Sequence, residues 1–210
     1  MQEPRPFLIG GLWRHGETVV PVNNPFTGQL LAEVSNASSA DAEAGIQSTV
    51  DAAVVMGALP SHARYHVLQK IAGGLYDRRE EFARLMTAEA GKPIADAKRE
   101  VSRAVQTFTI AAEEAKRIPG EVIPLDWTPG TDSHLGILRR VPIGPVLGIT
   151  PFNFPLNLVA HKVAPALAAG NSILIKPAPQ TPLTALLLGE VVLEAGLPPG
   201  ALNIMPATTG

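Results

Sequence analysis

The chain has 210 residues, no cysteine and a formal net charge of −2. Its 46% hydrophobic and 17% charged residues can build a sizeable core, which excludes a disordered chain, and its near-neutral balance offers no field for a polyanion, which excludes a nucleic-acid binder. The absence of cysteine excludes disulfides, thiolate metal sites and thiol nucleophiles among these residues; no basic-then-apolar leader opens the sequence and no apolar run reaches bilayer length, so a cytoplasmic location away from membranes is expected.

Residues 7–35 read as short strands. Trp13 to Val22 and Gln29 to Val34 flank Asn23-Asn24-Pro25-Phe26-Thr27-Gly28, a run of turn formers that implies a reversal. Ser38-Ser39-Ala40-Asp41 has the spacing of a capping box, and Ile46, Val50, Val54 and Ala58 then recur at every fourth position as the stripe of a first helix. Val67, Leu68, Ile71, Ala72 and Leu75 share one face of a second. A third carries Phe82, Leu85, Met86 and Ala90 and stops at Gly91-Lys92-Pro93. The fourth has the clearest period: Ile94, Val101, Phe108 and Ala115 lie seven apart, Ala97, Ala104 and Ala111 complete the stripe, and Pro119-Gly120 ends it.

Residues 121–143 place Thr128-Pro129-Gly130-Thr131-Asp132 between two extended pieces, Glu121 to Leu125 and Leu135 to Val141, as in a projecting β-hairpin. The last third alternates strand and helix. Strands at Val146–Thr150, Ser172–Ile175 and Ala201–Met205 are separated by helices over Pro155–Ala169 and from Thr181-Pro182 to Gly196, with Thr181 placed as a capping hydroxyl. Short connections of this kind imply an α/β fold with parallel pairing and right-handed crossovers. Ligands bind such sheets outside the carboxyl ends of the strands, here Thr150–Asn153, Lys176–Gln180 and Pro206–Gly210.

Individual residues leave alternatives open. Asn153 either caps the helix after Pro155 or donates its amide to a developing oxyanion beside a helix N-terminus. Lys176 ends an apolar strand, either solvated or reaching ribose hydroxyls or phosphate. Arg103 lies beside the stripe of the fourth helix and could point into a cleft. No Gly-x-Gly-x-x-Gly and no Walker loop is present. The five histidines are scattered, and the helical pair His62 and His66 lacks a third metal ligand. Glu113-Glu114 and Glu190 with Glu194 read as solvated helix faces.

Taken in order, Gly144-Pro145-Val146-Leu147-Gly148-Ile149-Thr150-Pro151-Phe152-Asn153-Phe154-Pro155, then Lys162 to Asn171, then Lys176-Pro177-Ala178, resemble the aldehyde dehydrogenase superfamily. The upstream strands, helices and hairpin follow the same order, so the resemblance covers essentially the whole chain. It implies a Rossmann-like parallel sheet, incomplete at its C-terminal end, with N-terminal helices and a projecting β-hairpin arm. Residues 1–120 would be the N-terminal strands and helical part of the cofactor-binding domain, 121–143 an oligomerisation arm, and 144–210 the first β-α-β-α-β portion; a catalytic domain is absent. The implied reaction is NAD(P)-dependent oxidation of an aldehyde through a cysteine thiohemiacetal. Asn153 matches the family's oxyanion amide, Ile149, Thr150, Pro151 and Phe152 its cofactor loop, and Lys176 its ribose-contacting lysine. Three residues on, where NAD-preferring members often carry a ribose-gripping glutamate, stands Pro179; loss of that charge removes a barrier to NADP. Phe152 and Asn157-Leu158-Val159-Ala160-His161-Lys162 look closest to the lactaldehyde and phosphorylated-aldehyde branch, in which Arg103 could meet an anionic substrate or else pair with a neighbouring helix. The chain alone is expected to be inactive. The competing reading is a non-catalytic nucleotide-binding or assembly module.

Overall fold

A computed structural model describes residues 3–208. Strands β1 (Phe7–Ile9), β2 (Leu12–Arg14), β3 (Thr18–Asn23) and β4 (Leu30–Asn36) precede helices α1 (Ser39–Ala58), α2 (Ser61–Asp77), α3 (Arg79–Ala90) and α4 (Ile94–Ala115). After them come β5 (Glu121–Pro124), β6 (Leu135–Leu138), β7 (Pro145–Ile149), α5 (Asn157–Ala168), β8 (Ser172–Lys176), α6 (Leu183–Glu194) and β9 (Leu202–Ile204). The central sheet runs β2-β1-β9-β8-β7. Strands β7, β8 and β9 pair in parallel, with Leu147 opposite Leu174 and Ile175 opposite Ile204. This is the expected Rossmann-like α/β arrangement.

The pleat sends alternate side chains to opposite faces. Leu8, Ile173, Ile175 and Ile204 join the main core with α5 and α6, whereas Phe7, Ile9, Leu174 and Met205 form a second cluster on the face that α1 covers. Strand β1 enters this sheet antiparallel to β9, with Leu8 opposite Ile204. Nothing local in the sequence signals that pairing, because its partner lies almost two hundred residues away. The reversal at Asn23–Gly28 does join a hairpin, but of β3 and β4 only; Trp13 belongs to β2, in the other sheet.

Helix α1 corrects an expectation. Its capping box is present, with Ser38 and Asp41 bonded reciprocally, yet Ile46, Val50 and Val54 are exposed and Gly45, Thr49, Ala52 and Met56 are buried. A strict every-fourth series advances by roughly 40° per step on a helix of 3.6 residues per turn, so it winds off any one face. The helix instead lays a small-residue face on the sheet: a Cβ on Gly45 would stand 2.6 Å from the Met205 sulfur. On the expected faces Leu68, Ile71, Ala72 and Leu75 of α2 and Phe82 and Met86 of α3 are buried while Val67, Leu85 and Ala90 are half-buried, and the stripe of α4 is buried from Ala97 to Ala115, with Ile94 exposed at its start. Gly91, at φ 66°, ends α3 in the left-handed conformation that glycine adopts most cheaply.

Strands β5 and β6 pair antiparallel as an arm, with Val122 opposite Ile137 and Pro124 opposite Leu135. Val122, Trp127, Leu135, Ile137, Val141 and Ile143 along this segment are exposed. Among the described residues no helix is long and apolar enough to cross a membrane.

Candidate active-site loop and nucleotide cleft

The carboxyl ends of β7, β8 and β9 lead into the segments singled out from the sequence, except that Thr209 and Gly210 lie outside the described residues. The loop after β7 begins at Thr150, which is buried and donates its N–H to the Lys176 carbonyl at 3.1 Å. Pro151, Phe152, Asn153 and Phe154 are then exposed before the chain turns inward at Pro155.

Asn153 does not cap α5. That helix starts at Asn157 with no side-chain cap of its own; its first free amides, Leu156 N and Asn157 N, each donate at 3.0 Å to Glu100 Oε1, delivered from α4. The Asn153 amide therefore faces solvent uncommitted. The same observation leaves those two α5 amides already bonded to Glu100 and not free to donate to an oxyanion. Lys92, from the α3–α4 junction, bonds the other oxygen of Glu100, donates to the Asn153 carbonyl at 3.0 Å and lies 4.0 Å over the Phe154 ring.

Helix α6 repeats the arrangement. Thr181 does not cap it, and the Thr181 hydroxyl has no hydrogen-bond partner among the described residues. The carboxylate of Glu89, from α3, accepts the N–H of Leu183 and of Thr184, each at 2.9 Å, and the Thr184 hydroxyl. Burial pushes the Glu89 carboxyl up to about 7, against the pull of the Thr184 and Leu183 hydrogen bonds. A rule about which residues cap helices looks only at near neighbours in sequence, so it cannot find these two. One signal was available: Glu89 and Glu100 both fall on the apolar faces of their helices, where an unpaired charge is too costly to persist.

One cleft borders the loop and a second lies along the sheet beside β7 and β8. One, of about 570 Å³, lies between the loop and the junction of α3 and α4, and is lined by Phe152, Asn153 and Phe154 on one side and by Lys92, Arg99 and Arg103 among others on the other. Arg103 makes no ion pair among the described residues and sits 5.8 Å from the Phe154 ring centroid; it is Arg99 that pairs within the helix, with Asp96. The second cleft, of about 470 Å³, has an apolar bed of Ile46, Val50, Leu147, Leu174 and Met205, with Lys176 at its side. The flat hydrophobic bed and adjacent ammonium suit a nucleoside, its base on the apolar surface and its hydroxyls within reach of Lys176. Ile149 is exposed on β7, at the edge of the sheet, and Pro179 is half-buried against the loop after β9. Glu190 departs from the solvated face expected for it: it bridges Arg5 and Arg78 at 2.8 and 2.7 Å. His62 and His66 stand edge to face, and no cluster of three metal-ligating side chains occurs among the described residues.

The model of the aldehyde dehydrogenase family matches residues 13–210. A 3-sulfolactaldehyde dehydrogenase of Priestia aryabhattai is 44% identical over 197 residues, covering 94% of this chain and 41% of that protein. Aldehyde dehydrogenase 21 of Physcomitrella patens, solved with its reaction product succinate, superposes with a TM-score of 0.95 at 43% identity, over 99% of this chain and 44% of that one. An NADP-dependent glyceraldehyde-3-phosphate dehydrogenase of Bacillus halodurans, solved with NADP, gives 0.94 at 32% identity, over 99% and 44%. The chain thus spans about two fifths of the length of the relatives it matches. With a matched family model, close relatives and a shared fold, the chain belongs to the aldehyde dehydrogenase family.

Proposed function

We propose that this chain is the N-terminal part of an enzyme that oxidises an anionic aldehyde to the acid with NAD or NADP, and that it supplies the oxyanion amide and half of the nucleotide site. The observation that carries this reading is the shared cleft of Asn153 and Arg103: a side-chain amide with no hydrogen-bond partner and a guanidinium with no ion pair, each among the described residues, line one volume of about 570 Å³. The amide can donate to the oxygen of an aldehyde under attack, where negative charge develops. The guanidinium can hold a carboxylate, sulfonate or phosphate at the far end of the same molecule. The relatives named for 3-sulfolactaldehyde, for the product succinate and for glyceraldehyde 3-phosphate all handle such groups.

The dinucleotide, when bound, accepts the hydride. The residues here that would hold it are Lys176 beside the apolar bed of β7 and β8, with Ile149, Thr150, Pro151 and Phe152 carrying the loop toward the reacting end and Pro179 beyond the strand. The chain has no cysteine, so the attacking thiolate and the water-activating base come from the remainder of the enzyme, and this chain alone is inactive. Pro179 presents no carboxylate to repel a 2′-phosphate, so both NAD and NADP are used. The division into residues 1–120, 121–143 and 144–210 stands on the same reading, with the exposed apolar side chains of the β5–β6 arm burying against another copy in a homo-oligomer.

Arg103→Leu tests the substrate class. In the complete enzyme it should raise KM for an anionic aldehyde by about 10-fold or more, the size of a lost charged hydrogen bond, and leave a neutral aldehyde of equal length unaffected. Equal changes for both would refute the role of Arg103.

A further inference from the structure

Between Thr150 and Asn157 the loop is tied by hydrogen bonds to residues outside it, Lys176, Lys92 and Glu100. Thr150 N–H is tied to Lys176 at the start of the loop. At its end, Glu100 accepts both Leu156 N and Asn157 N. Between them Lys92 holds the Asn153 carbonyl at 3.0 Å and covers the Phe154 ring at 4.0 Å, while its ammonium is balanced by Glu100. Lys92 is itself fixed in direction, because Gly91 ends α3 before it and Pro93 precedes α4 after it. The peptide of Asn153 is thus held through its carbonyl, while its side-chain amide is left uncommitted.

Resting on the reading of Asn153 given above, we infer that Lys92 and Glu100 are positioning residues that aim the Asn153 amide. Lys92 sets the Asn153 peptide plane, and hence the direction of its Cα–Cβ bond. Glu100 fixes the end of the loop and keeps the Lys92 ammonium in place by charge. A displacement of an oxyanion donor by about 1 Å can cost up to ~10²-fold in rate, so loosening this tether reaches the chemistry without removing any group that touches substrate. A helix cap alone would need only the carboxylate; the lysine bond to the Asn153 carbonyl has no capping role.

The test is a double-mutant cycle in the complete enzyme. With a neutral aldehyde, Lys92→Met is expected to lower kcat by ~10–100-fold with KM for aldehyde and for dinucleotide retained, and Lys92→Arg, which keeps a donor and a charge, should recover most of that loss. In an Asn153→Ala background Lys92→Met should cost almost nothing further, since a residue acting through Asn153 has nothing left to aim. If burying Glu100 without its partner prevents folding, Lys92→Met with Glu100→Gln removes both charges and carries the same expectation. Equal losses in both backgrounds, or a raised aldehyde KM with kcat kept, would overturn the inference while leaving the oxyanion role of Asn153 intact. An Asn153→Ala enzyme with unchanged kcat would instead overturn the reading of the site, and the inference with it.

Discussion

Replacing Asn153 with alanine in the complete enzyme is expected to lower kcat by ~10²–10³-fold, the measured scale for loss of one oxyanion donor. The dinucleotide Kd and the fold should be unchanged. The reason lies in what Asn153 does not do in the resting structure. Its side chain caps no helix, because Glu100 occupies the α5 amides, and it lies exposed at the mouth of the cleft it shares with Arg103. A residue without a structural duty can be truncated at little cost in stability, so a loss in kcat without a loss in Tm would be specific. Asn153→Asp, which puts an acceptor where a donor is needed, should be at least as damaging. A fall in Tm that tracked the fall in kcat would point to a structural role instead.

The second large effect concerns stability. Glu89 is buried, and burial raises its carboxyl to about 7, well above the ordinary value of about 4.3 expected in the unfolded chain. The folded state then binds the proton more tightly than the unfolded one. The stability that this group contributes is complete below the unfolded value and is lost as pH rises through about 7. Thermal unfolding of wild type and of Glu89→Gln should therefore diverge in slope: between roughly pH 4 and 7 the wild-type Tm falls relative to that of the variant, which cannot ionise. Parallel curves would contradict the assignment. Glu89→Ala goes further, leaving the Leu183 and Thr184 amides without an acceptor inside the protein, and should cost about 3 kcal/mol at low pH and progressively less as pH rises through about 7.

These two carboxylates also close the N-termini of both crossover helices. In many dinucleotide folds the first crossover helix points free amides at the pyrophosphate. Here the first amides of both crossover helices are closed by Glu100 and Glu89, so a phosphate would compete with a carboxylate already in place.

The sequence was most legible where one local pattern decided the structure. In α4, residues seven apart faced one core, and the arm at 121–143 carried its turn formers between extended pieces; both elements formed as expected. The parallel order of β7, β8 and β9 followed from short connections and handedness. Legibility failed where the deciding partner was remote. Leu8 gains a strand partner at Ile204, and the exposed Ile46 and Val50 of α1 line a cleft with Leu147 and Leu174 rather than the core. In the candidate site, Asn153 and Lys176 are marked by their place at strand ends and by the resemblance, and Arg103 by its place beside a stripe. Lys92 carries no local signal, because Gly91-Lys92-Pro93 reads as a helix end, and Glu100 is marked only by an acid standing on the apolar face of α4.

The most direct measurement is the rate of dinucleotide reduction by the complete enzyme, given NAD and NADP in turn, with an aldehyde carrying a terminal carboxylate or sulfonate and with its neutral analogue. Turnover with both dinucleotides and a higher kcat/KM for the anionic aldehyde are expected. A large preference for NAD would contradict the role given to Pro179, and no reduction of either dinucleotide with any aldehyde would contradict the function assigned to the cleft of Asn153 and Arg103.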